Sequence, residues 1–123
     1  MRGNALAVVG MMGAMLVALL TPGTGRLVGT AAAAVSEKIL LDNARVVMIE
    51  MVFPGGFRGD EHAAVADEFA YVLDGEFAVV TQGKGKRVLR TGEVEYASKG
   101  TVHYSLNESP RPTRVLVVLL KGR

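Results

Sequence analysis

Residues 69–80 read FAYVLDGEFAVV, two runs rich in β-branched and aromatic side chains joined by Asp74-Gly75. An Asp-Gly pair between such runs is the strongest short-range mark of a β-hairpin, because both turn residues accept a left-handed backbone. The same punctuation recurs along the chain. Arg45 to Phe53, RVVMIEMVF, ends at Pro54-Gly55-Gly56, and TQGKG at 81–85 leads into Lys86 to Arg90. Thr91-Gly92 precedes Glu93 to Ala97, and Lys99-Gly100 precedes Thr101 to Leu106. The loop NESPRP at 107–112 leads into TRVLVVLL, Thr113 to Leu120, which reads as a buried strand. Short strands separated by turns every few residues predict an all-β sandwich or barrel. One segment competes with that reading. HAAVADEFA, His62 to Ala70, contains good helix formers and no breaker. It is apolar on all sides rather than along one stripe, so two strand pieces with a bend near Asp67 are expected instead.

The N-terminus has a different character. Residues 5–20, ALAVVGMMGAMLVALL, are uncharged and almost wholly apolar, and Arg2 precedes them. The run is shorter than the roughly 20 residues of a membrane-spanning helix. Small residues follow, with Ala-x-Ala choices such as Ala32-Ala33-Ala34. Residues 1–35 therefore read as a signal peptide, or as an N-terminal membrane anchor if they are not cleaved, and 36–123 as a single domain. The expected location is outside the cytoplasm, periplasmic or extracellular, or at the membrane through the leader alone. A buried N-terminal helix is the competing reading of the same residues. The chain has no cysteine, which excludes disulfides and a lipid-bearing cysteine.

Setting the leader aside changes the charge balance. Arg2 and Arg26 belong to it, so residues from 36 onward carry 12 basic and 12 acidic side chains. A neutral domain lacks the basic face that collects phosphates, which argues against a nucleic-acid partner. Lys84, Lys86, Arg87 and Arg90 cluster, and read as the solvated end of a hairpin. A domain this small buries a modest share of its surface and stands to gain from pairing as a homodimer.

Two stretches carry ligand-type side chains at fixed spacing from glycines. In the first, Gly56, His62, Glu68 and Gly75 follow one another with five, five and six residues between them. In the second, Gly92, Gly100, His103 and Asn107 follow with seven, two and three residues between them. This pattern resembles the cupin superfamily, whose motifs are G-x5-H-x-H-x3-4-E-x6-G and G-x5-P-x-G-x2-H-x3-N. The resemblance covers residues from about 45 to 120. It implies a double-stranded β-helix, a jelly-roll-like barrel of antiparallel strands. It departs at two places: Ala64 stands where the family has its second histidine, and Ser98 where it has proline.

The resemblance implies a metal site of His62, Glu68 and His103, brought together from different strands. Two neutral imidazoles and one carboxylate suit a divalent ion such as Fe, Mn, Ni or Zn, with open positions for a small molecule. Asp60, which shares a face with His62 and Ala64 in an extended chain, is a candidate substitute ligand or supporting acid. The family spans dioxygenases, isomerases, lyases and plain binders of small molecules, and fold does not choose among them. The alternative is a metal-free barrel in which the glycines and Asn107 are turn residues and His62, Glu68 and His103 bond one another. Met48 and Met51 read as core. Tyr71 and Tyr104 read as packing residues rather than proton donors, and no serine has the partners of a nucleophile.

Overall fold

The computed structural model of the protein describes residues 34–122, so the leader lies outside the described residues except for its last two positions. The described residues form strands and turns with no helix, and none of their segments is a helix long and apolar enough to cross a membrane. The strands are β1 (Ser36–Asp42), β2 (Val46–Phe53), β3 (His62–Ala63), β4 (Asp67–Asp74), β5 (Glu76–Thr81), β6 (Gly85–Arg90), β7 (Val94–Ala97), β8 (Val102–Leu106) and β9 (Thr113–Leu120). They pair antiparallel into a five-stranded sheet, β1-β2-β9-β4-β7, and a four-stranded sheet, β3-β8-β5-β6.

Alternation of side chains explains how the two sheets close on one core. On β2, Val47, Ile49, Met51 and Phe53 point inward and are buried, while Val46, Met48, Glu50 and Val52 face the other way. On β9, Val115, Val117 and Leu119 do the same. Val72 of β4, Phe77 and Val79 of β5 and Leu89 of β6 complete the apolar interior. Phe53 packs against Phe57 and Phe77 with ring centroids 5.1 and 4.8 Å apart.

One end of the barrel is closed by polar residues that are completely buried. The Asn107 amide nitrogen lies 3.1 Å from the carbonyl oxygens of Phe53 and Pro54 and 2.8 Å from that of Arg111. Its Oδ1 accepts from the Ser109 amide and hydroxyl. The Thr113 hydroxyl donates to the Glu76 carbonyl at 2.6 Å and accepts from the Glu76 amide at 3.1 Å. Beside it Gly75 turns with φ +104°, and a Cβ there would lie 2.7 Å from the Thr113 hydroxyl oxygen. Only glycine meets both demands.

Several expectations hold and several change. Residues 62–70 form β3, a bend at 65–66 and the start of β4, as two strand pieces. Met51 is core, but Met48 is not; it alternates with the inward Val47 and Ile49 on β2 and so turns to the outer face. The basic cluster is not a free patch: Lys86 meets Glu108 at 2.8 Å, Arg87 meets Glu95 at 2.7 Å, and Arg90 lies 3.9 Å from Glu76. β1 was not legible as a strand, because a register shift between Ile39 and Leu41 breaks its alternation.

Candidate functional site

The open end of the barrel is built from both sheets. His62 of β3 and His103 of β8 are direct cross-strand partners in the four-stranded sheet. Opposed residues of an antiparallel pair put their side chains on one face. Their rings accordingly meet edge to face, with centroids 5.0 Å apart. Glu68 enters from the five-stranded sheet, where it sits between Leu119 of β9 and Ala97 of β7. Its Oε2 comes within 3.4 Å of the His103 Nε2. That is longer than a charge-assisted hydrogen bond of about 2.7–2.9 Å.

Burial sets the charge state of this pair. His103 is only 6% exposed. Desolvation, with the His62 charge adding to it, lowers the His103 pKa to about 4. Desolvation raises the Glu68 carboxyl to about 7. Neither group is comfortable as an ion here, so the contact is not a preformed salt bridge near neutral pH. The other ring nitrogen of His103, Nδ1, is buried with no hydrogen-bond partner. Such an orphan is uncommon in a protein interior and calls for an explanation, as does Glu37 Oε2 on β1, the other one among the described residues.

His62 is held differently. Its Nδ1 lies 2.9 Å from the Asp60 carbonyl oxygen, which has only lone pairs to offer, so Nδ1 carries the proton. Nε2 is left as a free lone pair, the arrangement that second-sphere carbonyls give to ligating histidines. Asp60 thus contributes its main chain, while its side chain is exposed. Ala64 is 3% exposed, and its amide and carbonyl bond the Thr101 carbonyl and the Gly100 amide at 2.7 and 2.8 Å. A buried methyl therefore takes the place of a fourth donor. Ser98 in the proline position still forms its turn, through a Thr101 amide bond to the Ser98 carbonyl at 3.0 Å.

The donors fit a cation in part. Bonds of about 2.1 Å at a tetrahedral angle separate two donors by about 3.4 Å, the spacing of the Glu68 and His103 atoms. Among the described residues, however, no three His, Cys, Asp or Glu side chains converge tightly enough to enclose an ion. All three residues singled out from the sequence reach the mouth: Glu68 and His103 with side-chain atoms 3.4 Å apart, His62 against the His103 ring.

One contact between the sheets was not foreseen from the sequence. Arg87 of β6 donates to Glu95 of β7 at 2.7 Å and to the Val94 carbonyl at 3.1 Å. This pair ties the edge of one sheet to the edge of the other. The signal was available, since Glu95 stands two residues from Ala97 and so shares its inward face. Tyr71 and Tyr104 stay out of the mouth: Tyr71 is exposed and Tyr104 underlies the Arg58 guanidinium at 4.7 Å.

Comparison with known proteins agrees with this architecture. A family model described as a cupin domain matches residues 48–119. This chain belongs to the cupin domain family. A solved cupin superfamily protein from Desulfitobacterium hafniense superposes with a TM-score of 0.66 at 18% identity, covering 77% of this chain and 84% of its own. The structure of KdgF from Halomonas sp. matches with a TM-score of 0.64 at 26% identity, covering 72% of this chain and 82% of that one. The pectin degradation protein KdgF of Dickeya dadantii is 34% identical over 70 residues, 56% of this cupin chain and 63% of that relative. The chain therefore spans less than two thirds of that relative's length.

Proposed function

We propose that the barrel mouth of this cupin holds a divalent metal ion through Glu68, His103 and His62, and presents it to a small carboxylate-bearing molecule of the sugar-acid class. The observation that carries the reading is the approach of Glu68 Oε2 to His103 Nε2 at 3.4 Å. Two desolvated donors from different sheets share that space with no hydrogen bond between them that would account for it. A divalent cation there would supply positive charge to polarise a carbonyl or orient a carboxylate.

The chain's own residues do the rest. Asp60 fixes the His62 tautomer, and Ala64 puts a buried methyl where a fourth donor would stand. The sugar-acid class is supported by a relative named for pectin degradation, pectin being a polymer of sugar acids. An uncharged substrate would draw less from a site of two neutral ligands and one carboxylate, which keeps a net positive charge when it holds a divalent ion. The reading extends to an exported protein, periplasmic or extracellular, supported by the apolar run at 5–20 and the alanines after it.

A second reading has its own support. Ala64 and the absence of a closed three-donor cluster among the described residues favour a metal-free barrel that binds its ligand by shape and hydrogen bonds. Metal content separates the two. The full-length chain, purified without an affinity tag or chelator, is expected to carry near-stoichiometric iron, manganese, nickel or zinc, and His103→Ala is expected to lose it. A folded protein that stays metal-free after reconstitution with each ion overturns the first reading in favour of the second.

A further inference from the structure

We propose that a cavity beside the mouth is a second binding site, for a small organic anion that carries one carboxylate on an aliphatic body. The cavity measures about 760 Å³, within the range of about 300–1,000 Å³ usual for small-molecule sites. It lies where the β1–β2 turn, the end of β9 and the chain crossing from β3 to β4 meet. Asp67 and Leu120 in its wall adjoin Glu68 and Leu119, a cross-strand pair at the mouth. His62, Glu68 and His103 do not line it, so the site does not depend on the proposed cation centre.

Charge selects an anion. Arg45, Lys99 and Lys121 line the cavity against one acid, Asp67, whose Oδ1 already accepts the Lys99 amide at 2.7 Å. Arg45 and Lys99 are exposed and form no ion pair among the described residues. Lys121 is held differently. Its side chain is only 14% exposed, and its ammonium donates to Asp42 Oδ1 at 2.8 Å. An ammonium has three donors, and among the described residues the other two have no partner. A mostly buried ammonium with donors to spare is an anchor for a carboxylate. Counting Asp42 with Asp67 leaves three positive charges against two negative, a balance that one carboxylate neutralises. The remaining wall selects the body. Val46 and Leu120 are cross-strand partners, and Val65 and Ala66 come from the crossing chain. Val46, Val65 and Leu120 are half-buried and keep apolar surface for a hydrocarbon to cover. Apart from the charged residues, no side chain of the wall offers a hydrogen bond, so the hydroxyls of a sugar would find few partners. The cavity of about 470 Å³ at the closed end has no such bias. Arg90 and Arg111 there face Asp74 and Glu76, two charges of each sign.

The test is a titration of the full-length chain with hexanoate, hexanol and galacturonate, with and without zinc, followed by two-dimensional amide NMR. Hexanoate is expected to shift the amides of Ala44, Lys99 and Gly122 alike in both states. It should bind at least about tenfold more tightly than hexanol or galacturonate, as loss of a charge-assisted contact implies. Arg45→Gln with Lys99→Gln changes two exposed side chains and should weaken hexanoate at least about tenfold, with the rest of the spectrum unchanged. Asp67→Asn removes a negative charge, keeps the oxygen that accepts the Lys99 amide, and should tighten hexanoate severalfold. The proposal is overturned if hexanoate shifts none of these amides, or if hexanol or galacturonate binds here as tightly. An affinity unchanged in the double variant overturns it too. So do shifts that appear only with zinc, because the carboxylate would then sit on an ion in the mouth.

Discussion

The two ends of the barrel both bury polar side chains, and they treat them in opposite ways. At the closed end Asn107 and Thr113 are 0% exposed, and every polar atom of each finds a partner in the surrounding main chain. At the mouth His103 is nearly as buried, yet one ring nitrogen has no partner and the other faces a carboxyl at 3.4 Å. Equal burial with unequal satisfaction is the contrast on which the proposed site rests. A saturated network rigidifies and specifies the fold, whereas an unsaturated one spends stability and is retained where something else completes it.

The largest expected effect breaks the closed end. Asn107→Ala leaves the carbonyls of Phe53, Pro54 and Arg111 without the amide that bridges them. With about 1–3 kcal/mol for each buried group left unpaired, a loss of about 3 kcal/mol or more is expected in urea unfolding, enough to unfold part of the population. Next comes Gly75→Ala, which forces a side chain into φ +104° and against Thr113. Backbone strain of this sort costs on the order of 1–3 kcal/mol, and thermal unfolding should show it.

The same operation at the mouth should do far less. His103→Leu removes an orphaned nitrogen rather than a bonded one, so the cation-free protein is expected to keep its stability within about 1 kcal/mol or to gain. A loss comparable to that of Asn107→Ala would mean that His103 is architecture after all, and the contrast between the two ends would collapse.

The smallest effect is the net pH dependence, and it sharpens the comparison because, among the described residues, the two largest shifts both lie at the mouth and work in opposite directions. Burial raises the Glu68 pKa to about 7, so the cation-free fold loses stability as pH climbs from the ordinary carboxyl range past 7, where a buried carboxylate must be carried. Burial lowers the His103 pKa to about 4, so the fold also loses stability as pH falls from the ordinary imidazole range through about 4. Maximum stability is expected between those limits. Glu68→Gln should flatten the alkaline limb alone, and an unchanged limb in denaturant titrations at pH 5 to 9 would show that Glu68 is not its source.

Much of this was legible beforehand because it rests on local rules. Asp74-Gly75 announces the β4–β5 hairpin, and TRVLVVLL announces β9 to the residue. The resemblance to the cupin motifs, carried by His62, Glu68 and His103 and their glycines, implied that all three meet at one end of a barrel. Other features depend on partners that local pattern does not contain. SEKILLD hides β1 because a register shift breaks its alternation, and RVVMIEMVF conceals that Met48 belongs to the outer face because that face is apolar too. Asn107 reads as a turn amide, and its bonds to residues more than fifty positions earlier appear only when the barrel closes. The mouth shows the same limit: nothing near His62 in sequence says that its proton is held by Asp60 or that Glu68 will meet His103 from the opposite sheet.

The most direct test of the account is calorimetric titration of the full-length, metal-stripped chain with zinc at pH 6, in two buffers of different ionisation enthalpy. With Glu68 raised to about 7, its carboxyl is largely protonated at that pH and must give up its proton to hold a cation. Glu68→Gln that releases about one proton fewer than the unaltered chain on binding, and binds more weakly, is the predicted result. Binding with the same proton count in both proteins, or no binding at all, would contradict a cation centre built on Glu68 and His103.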